Sequence, residues 1–191
     1  MTAWATQGGS VVGVAVVCAA LAGSAAASAP PAKPLLVDVA RGAVGGLQLG
    51  QSSERYVQKL GLPDYSGAIE TANTRELLWT LGPSPRSGWA AVTLTPSSAA
   101  SVFRYAGRFT TPNGDMPGTP LATVRKQWGP TRSVHSVVRK GRTVEYNLAV
   151  GRVVFAFDAR MRLQAVGLAT ASLGGSLCII PSVCVVSTLG P

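Results

Sequence analysis

Apolar and polar positions alternate with two different periods along this chain, and the periods change at glycine and proline. From Gly46 to Asp64 the sequence reads GLQLGQSSERYVQKLGLPD. Tyr56, Val57 and Leu60 fall at helical spacing and form one apolar stripe. Ser52 stands where a helix cap would, and Glu54 lies in the first turn, where a negative charge suits the helix dipole. Gly61 can take the left-handed conformation that ends a helix, and Pro63 prevents its resumption. The same devices return in GTPLATVRKQWGP, Gly118 to Pro130. There Thr119 is the cap, Pro120 fits the first helical position, Leu121, Val124 and Trp128 make the stripe, and Gly129-Pro130 is the stop. Gly118 and Gly129 follow Gly50 and Gly61 at the same offset. Helices this short are unstable alone and need a sheet to bury their stripe.

A period of two follows each helix. Arg75 to Leu81, Gly88 to Thr95 and Ser101 to Gly107 read as strands after the first helix. After the second come Ser133 to Arg139, Thr143 to Leu148, Arg152 to Asp158 and Arg162 to Leu168. Turn residues separate them at Lys140-Gly141, Val150-Gly151 and Asp158-Ala159. Consecutive strands joined by tight turns pair antiparallel. The expected fold is therefore α+β: two tandem repeats of a short helix followed by an antiparallel β-meander. The first would occupy residues 44–110 and the second 111–169. One face of each meander would take its helix, leaving the other for contact.

The segments outside the repeats carry their own signals. Val11 to Leu21 is an uncharged apolar run followed by small residues, the layout of a secretory signal peptide. Residues 1–27 are expected to be that signal, cut after Ala27, with 28–43 as a linker. The run is too short to span a bilayer, so no transmembrane segment is expected in the mature chain. Its removal takes Cys18 and leaves Cys178 and Cys184, which an oxidising compartment would join in a structural disulfide within an apolar tail, residues 170–191. That tail is expected to be a pinned hairpin or an arm lying on the second sheet. Uncovered, it would promote self-association.

Charge adds a direction. The protein has 17 basic and 8 acidic residues, a net of +9. Residues 30–100 are nearly balanced, with 6 basic and 5 acidic groups; residues 101–162 carry 11 and 3, and no charged side chain follows. The candidate partner contacts are Arg125, Lys126, Arg132, Arg139, Lys140 and Arg142. Such a field attracts an acidic protein, an anionic envelope polymer or anionic lipid heads. Export sets nucleic acid aside as a physiological target.

Candidate chemistry is thin. His135, the one histidine, lies between Ser133 and Ser136 on a strand that would point Ser136 to the opposite side, and a Ser/His site needs both groups plus an orienting carboxylate. The eight acidic residues form no recognisable pair. Asn113-Gly114-Asp115 lacks the regular oxygen ligands of a calcium loop, and no glycine-rich phosphate loop is present. No cofactor, metal site or catalytic residue is expected.

The motif G-x-S-x(7)-L-G-x-P, Gly50 to Pro63, with its strands and its second copy, resembles the small SmpA/OmlA (BamE-like) envelope domain. It is also similar in layout to the tandem domains of beta-lactamase inhibitory protein, and to exported actinobacterial proteins. The matching residues are Gly50, Ser52, Leu60, Gly61 and Pro63, then Gly118, Val124, Trp128, Gly129 and Pro130. The resemblance implies an open sheet face bearing aromatics, with Trp79, Trp89, Phe103 and Tyr105 as candidates. Val17 occupies the position before Cys18 where lipid attachment takes a small residue. Together these readings point to a secreted or envelope-associated, non-catalytic binding module, inhibitor-like or part of envelope assembly. A hydrolase with an atypical site is the alternative.

Overall fold

The computed structural model describes residues 33–69, 73–81, 88–129 and 132–170. The expected signal peptide, its cleavage site and Cys178–Cys184 lie outside them.

Both helices form where their glycine stops place them: α1, Ser53–Leu60, and α2, Leu121–Trp128. Gly61 and Gly129 end them at positive φ, 88° and 129°, a region that costs glycine little. The caps differ from expectation. Neither helix receives a side-chain cap hydrogen bond. The Ser52 and Ser53 hydroxyls interact with the Glu54 carboxylate, which lowers its pKa, the Ser52 contribution being the largest. Thr119 Oγ1 accepts from Met116 N (3.1 Å), and the first amide of α2, Leu121 N, donates to Met161 O (2.9 Å). The sheet itself therefore satisfies the start of α2.

The strands do not divide into two repeats. The eight strands that follow the helices are β3 (Tyr65–Ile69), β4 (Thr74–Thr80), β5 (Trp89–Leu94), β6 (Ala100–Tyr105), β8 (Val134–Arg139), β9 (Arg142–Val150), β10 (Val153–Asp158) and β11 (Leu163–Leu168). They form one antiparallel sheet in the order β3-β4-β5-β6-β11-β10-β9-β8. The join is β6 with β11, where Phe103 faces Leu168 and Tyr105 faces Val166. The protein is thus predominantly β, built on a single large sheet, and the expectation of two tandem helix-plus-meander units is corrected. Each meander ended in a strand with an unpaired edge, and pairing those two edges removes both from solvent.

Besides β3, which the sequence pattern did not announce, three more strands lie in stretches read as a linker or left unassigned: β1 (Leu35–Asp38), β2 (Ala43–Val44) and β7 (Phe109–Thr110). They make a small sheet, β2-β1-β7, with β1 parallel to β7. This sheet and both helices pack on one face of the large sheet. Val37, Val44, Leu47 and Phe109 join Tyr56, Leu60 and Val124 over Trp79, Phe103, Phe155 and Phe157 in one continuous core.

Two core hydroxyls report this packing. Tyr56 donates to Gln48 O (2.8 Å), and burial raises its pKa. Burial pushes Tyr105 up to about 12, with the Arg108 charge opposing. Folding thus favours the neutral phenol. This contribution is intact below the ordinary value of 10 and is lost as pH rises through about 12. Denaturant titrations across that window should show falling stability, with a shallower fall for Tyr105→Phe. An unchanged slope would mean the Tyr105 phenol titrates alike in the folded and unfolded chain.

Candidate functional site

The helix-bearing face takes three of the four aromatics expected on an open face. Trp79, Phe103 and Tyr105 are fully buried in the core, and Trp79 Nε1 donates to Gly61 O (2.8 Å). Only Trp89 alternates onto the second face. Strand alternation was legible, but which phase faces the helices was not.

The second face has a distinct lining. Val154, Ala156, Ala165 and Ala169 form a separate buried cluster, with Ala106 and Ala149 against it. Toward β4, Arg104 Nη2 bonds Glu76 Oε1 (2.9 Å) and Thr93 Oγ1 (3.0 Å). Toward β8, Glu145 and Asn147 are fully buried, and each has an interaction partner. At the β3 edge, Tyr65 lies over Gly67, where an added Cβ would meet its hydroxyl. The result is a shallow floor of small side chains between polar margins.

The basic residues divide between three places. β8 and β10 run toward the same end of the sheet, where the Arg139–Arg142 hairpin and the Asp158–Arg162 turn lie. Glu145 stands opposite Asp158, so β9 continues three residues beyond the end of β10, an overhang of about 10 Å. Lys140 and Gly141 both have positive φ, 48° and 73°, as in a type I′ turn. Lysine in that region costs about 1–2 kcal/mol relative to right-handed backbone. Asp158 Oδ1 accepts from the amides of Arg160 and Arg162 (both 2.9 Å), and its Oδ2 accepts from Gln164 Nε2 (3.1 Å). Backbone and amide donors satisfy this carboxylate, and it makes no ion pair with the arginines beside it. Arg160 and Arg162 thus join Lys140 and Arg142 at one end. Arg125 and Lys126 are exposed along α2. Arg132 lies toward the opposite end, its Nε donating to Trp128 O (3.1 Å). Among the described residues the ion pairs are Arg41–Asp38 (3.6 Å) and Arg104–Glu76 (2.9 Å), neither at this end.

A cleft of about 770 Å³ opens between the small sheet and the end of α1. Leu36, Leu60 and Leu81 line it, with Lys33, Arg41 and Lys59 at its rim. The β1 and β2 residues in its wall carried no sequence signal, because strands of four and two residues are too short for periodicity.

His135 is exposed on edge strand β8, opposite Asn147, and Ser136 faces the other way, opposite Tyr146. Asp115, in the Asn113-Gly114-Asp115 stretch, is buried, accepting from Thr111 Oγ1 (3.0 Å) and Trp128 Nε1 (2.9 Å). Among the described residues no group of three or more His, Cys, Asp or Glu side chains converges, and no helix is long and apolar enough to cross a membrane.

No family model matches the chain, and no curated protein does. Among solved structures it is similar to an extracellular protein containing an SCP domain from Bacillus anthracis, at 12% identity and a TM-score of 0.47 over 70% of this chain. The match spans about half, 51%, of that protein. It is also similar to a DUF4309 family protein from Bacillus subtilis, at 16% identity and a TM-score of 0.45, over 66% of this chain and 84% of the other.

Proposed function

We propose that this protein is an exported, non-catalytic binding module that docks on an anionic component of the cell envelope through the hairpin end of its sheet. One observation carries the reading. Lys140, Arg142 and Arg160 are exposed at one end of the sheet, beside Arg162, whose guanidinium donates to Gly118 O (3.3 Å), and among the described residues the ion pairs, Arg41–Asp38 and Arg104–Glu76, lie elsewhere. Exposed cations of one sign focus a field that attracts polyanions, over a range of about 8–10 Å at physiological salt. The hairpin overhang lets Lys140 and Arg142 reach a flat surface ahead of the sheet. The apolar run of residues 11–21, followed by small residues, supports export. The exposed edge position of His135, facing Asn147 with Ser136 turned away, supports a non-catalytic role.

The test is a joint replacement of Arg139, Lys140 and Arg142 by Ser. At about 0.5 kcal/mol per exposed contact, three losses amount to roughly a tenfold weaker association. Co-sedimentation with purified anionic wall polymer should fall by that order at low salt. Wild type and variant should converge at high salt, with circular dichroism unchanged. Equal retention at low salt would overturn the assignment.

A further inference from the structure

The end of the sheet that carries the cations also carries exposed apolar side chains. Among the described residues six large hydrophobic side chains are exposed, and three of them are here: Met116 (54%), Val138 (56%) and Met161 (48%). Val138 precedes the hairpin turn on β8, opposite Thr143. Met161 stands between Arg160 and Arg162 in the turn from β10 to β11. The loop before α2 brings Met116 to the same end. Gly118 N donates to Leu163 O (2.7 Å) and Leu163 N to Thr119 O (2.9 Å), while Arg162 Nη1 donates to Gly118 O (3.3 Å). β8 and β10 are two strand spacings apart, about 10 Å, so apolar and cationic side chains alternate around one end of the sheet. The backbone there is unusual as well. Lys140 and Met161 have φ of 48° and 58°, at turn positions that glycine or asparagine ordinarily fills. Around Met161 the turn is closed by Met161 N on Asp158 O (2.8 Å) and Asp158 N on Arg162 O (2.9 Å). A long side chain in that region works against folding. Met161 is half exposed and belongs to neither core cluster, so packing in the folded chain does not offset that cost.

We infer that this end of the sheet seats in the interfacial layer of a bilayer containing anionic lipids. The inference rests on the envelope-docking reading above and narrows its anionic component to lipid. A hydrated anionic polymer engages the cations alone and leaves methionine and valine in water. A lipid surface uses both kinds of side chain. Headgroup phosphates attract Lys140, Arg142 and Arg160, and the boundary of the acyl chains takes Met116, Val138 and Met161. The long stems of lysine and arginine let their charges stay at headgroup level while the apolar side chains go deeper. The nearest carboxylates do not oppose this. Asp158 is held by the amides of Arg160 and Arg162 and by Gln164, and Glu145 and Asp115 are buried.

The experiment measures co-sedimentation of the mature chain with vesicles of phosphatidylglycerol and phosphatidylcholine, with vesicles of phosphatidylcholine alone, and with the wall polymer. Two apolar variants are compared with wild type: Met161→Gly, and Met116→Ser combined with Val138→Ser. Glycine relieves the left-handed position, so the thermal midpoint of Met161→Gly should hold or rise while its binding to anionic vesicles falls several-fold. The double variant should lose a similar factor with circular dichroism unchanged. Part of the wild-type vesicle binding should survive high salt, which screens the cations, and the apolar variants should lose that part. Their binding to wall polymer should equal that of wild type. Anionic-vesicle binding that falls only with the Arg139, Lys140 and Arg142 replacement, and not with either apolar variant, would overturn the lipid inference and leave the wider reading standing. So would equal binding to phosphatidylcholine alone, or an equal loss of polymer binding in the apolar variants. Indifference of vesicles and polymer alike to the triple replacement would remove both readings.

Discussion

Replacing Phe103 by Ala should lower stability by about 3–5 kcal/mol, the usual cost of removing a buried phenylalanine ring. The whole molecule should then unfold in one earlier transition. Phe103 is fully buried and meets Tyr56 of α1 edge-on at 5.3 Å, with Tyr105 at 6.3 Å. Along the sheet it lies between Val92 of β5 and Leu168 of β11. The ring therefore sits at the seam where the two groups of strands join. A cavity there weakens the packing of α1 and the β6–β11 pairing together. Denaturant titration followed by hydrogen exchange provides the measurement: amides of β4 and of β10 should lose protection at the same midpoint, shifted equally by the substitution. Two separate midpoints, with only β3–β6 destabilised, would show that the halves fold independently despite the shared ladder.

That prediction differs from what the chain's local pattern implies, and the difference shows where sequence reading stopped. The two helices were legible to within a residue because Gly61 and Gly129, each with a proline nearby, forbid continuation. Seven of the eight strands of the large sheet, all but β3, were legible because residues such as Leu77, Trp79, Val153, Phe155 and Phe157 recur with period two. The β6–β11 pairing was not legible. Tyr105 and Val166 are far apart in the chain, and no local signal distinguishes a strand that ends one sheet from a strand that continues another. The same limit hid β1, β2 and β7, whose parallel pairing of Leu35 with Phe109 has no turn to announce it. At the candidate site, the excess of cations was plain, but their placement was not. Strand direction brings Arg139–Arg142 and Arg160–Arg162 to one end and leaves Arg132 toward the other. Ser52 takes the N-cap position of α1 as expected, but the cap of α2 moves to Pro120: Thr119 is a suitable residue, yet Met161 O, in the turn between β10 and β11, takes the first amide of the helix.

Asp115→Ala should cost about 2–6 kcal/mol, from the Thr111 and Trp128 donors left without an acceptor at about 1–3 kcal/mol each. Its Oδ2 accepts from the Thr111 hydroxyl and the Trp128 indole, while Thr111 Oγ1 accepts from the Asp115 amide (3.0 Å). The Gln127 side-chain amide, oriented to donate, reaches both carboxylate oxygens at 2.7–2.8 Å. These bonds tie the last turn of α2 to the loop before it, and Trp128 also stacks on Phe155 at 6.2 Å. Without the carboxylate, the indole loses its polar anchor and α2 loosens on the sheet. Asp115→Asn keeps one acceptor oxygen but adds an amide that faces other donors, so its cost should fall between wild type and Ala. The denaturation midpoint and a red shift of Trp emission would measure both. A change under about 0.5 kcal/mol for the Ala variant, the range of an ordinary surface substitution, would show that the stacking alone seats the helix. α2 carries Arg125 and Lys126, so loosening it should also lower the salt-sensitive part of polyanion binding. The hairpin contribution of Lys140 and Arg142, set on a separate strand pair, should persist.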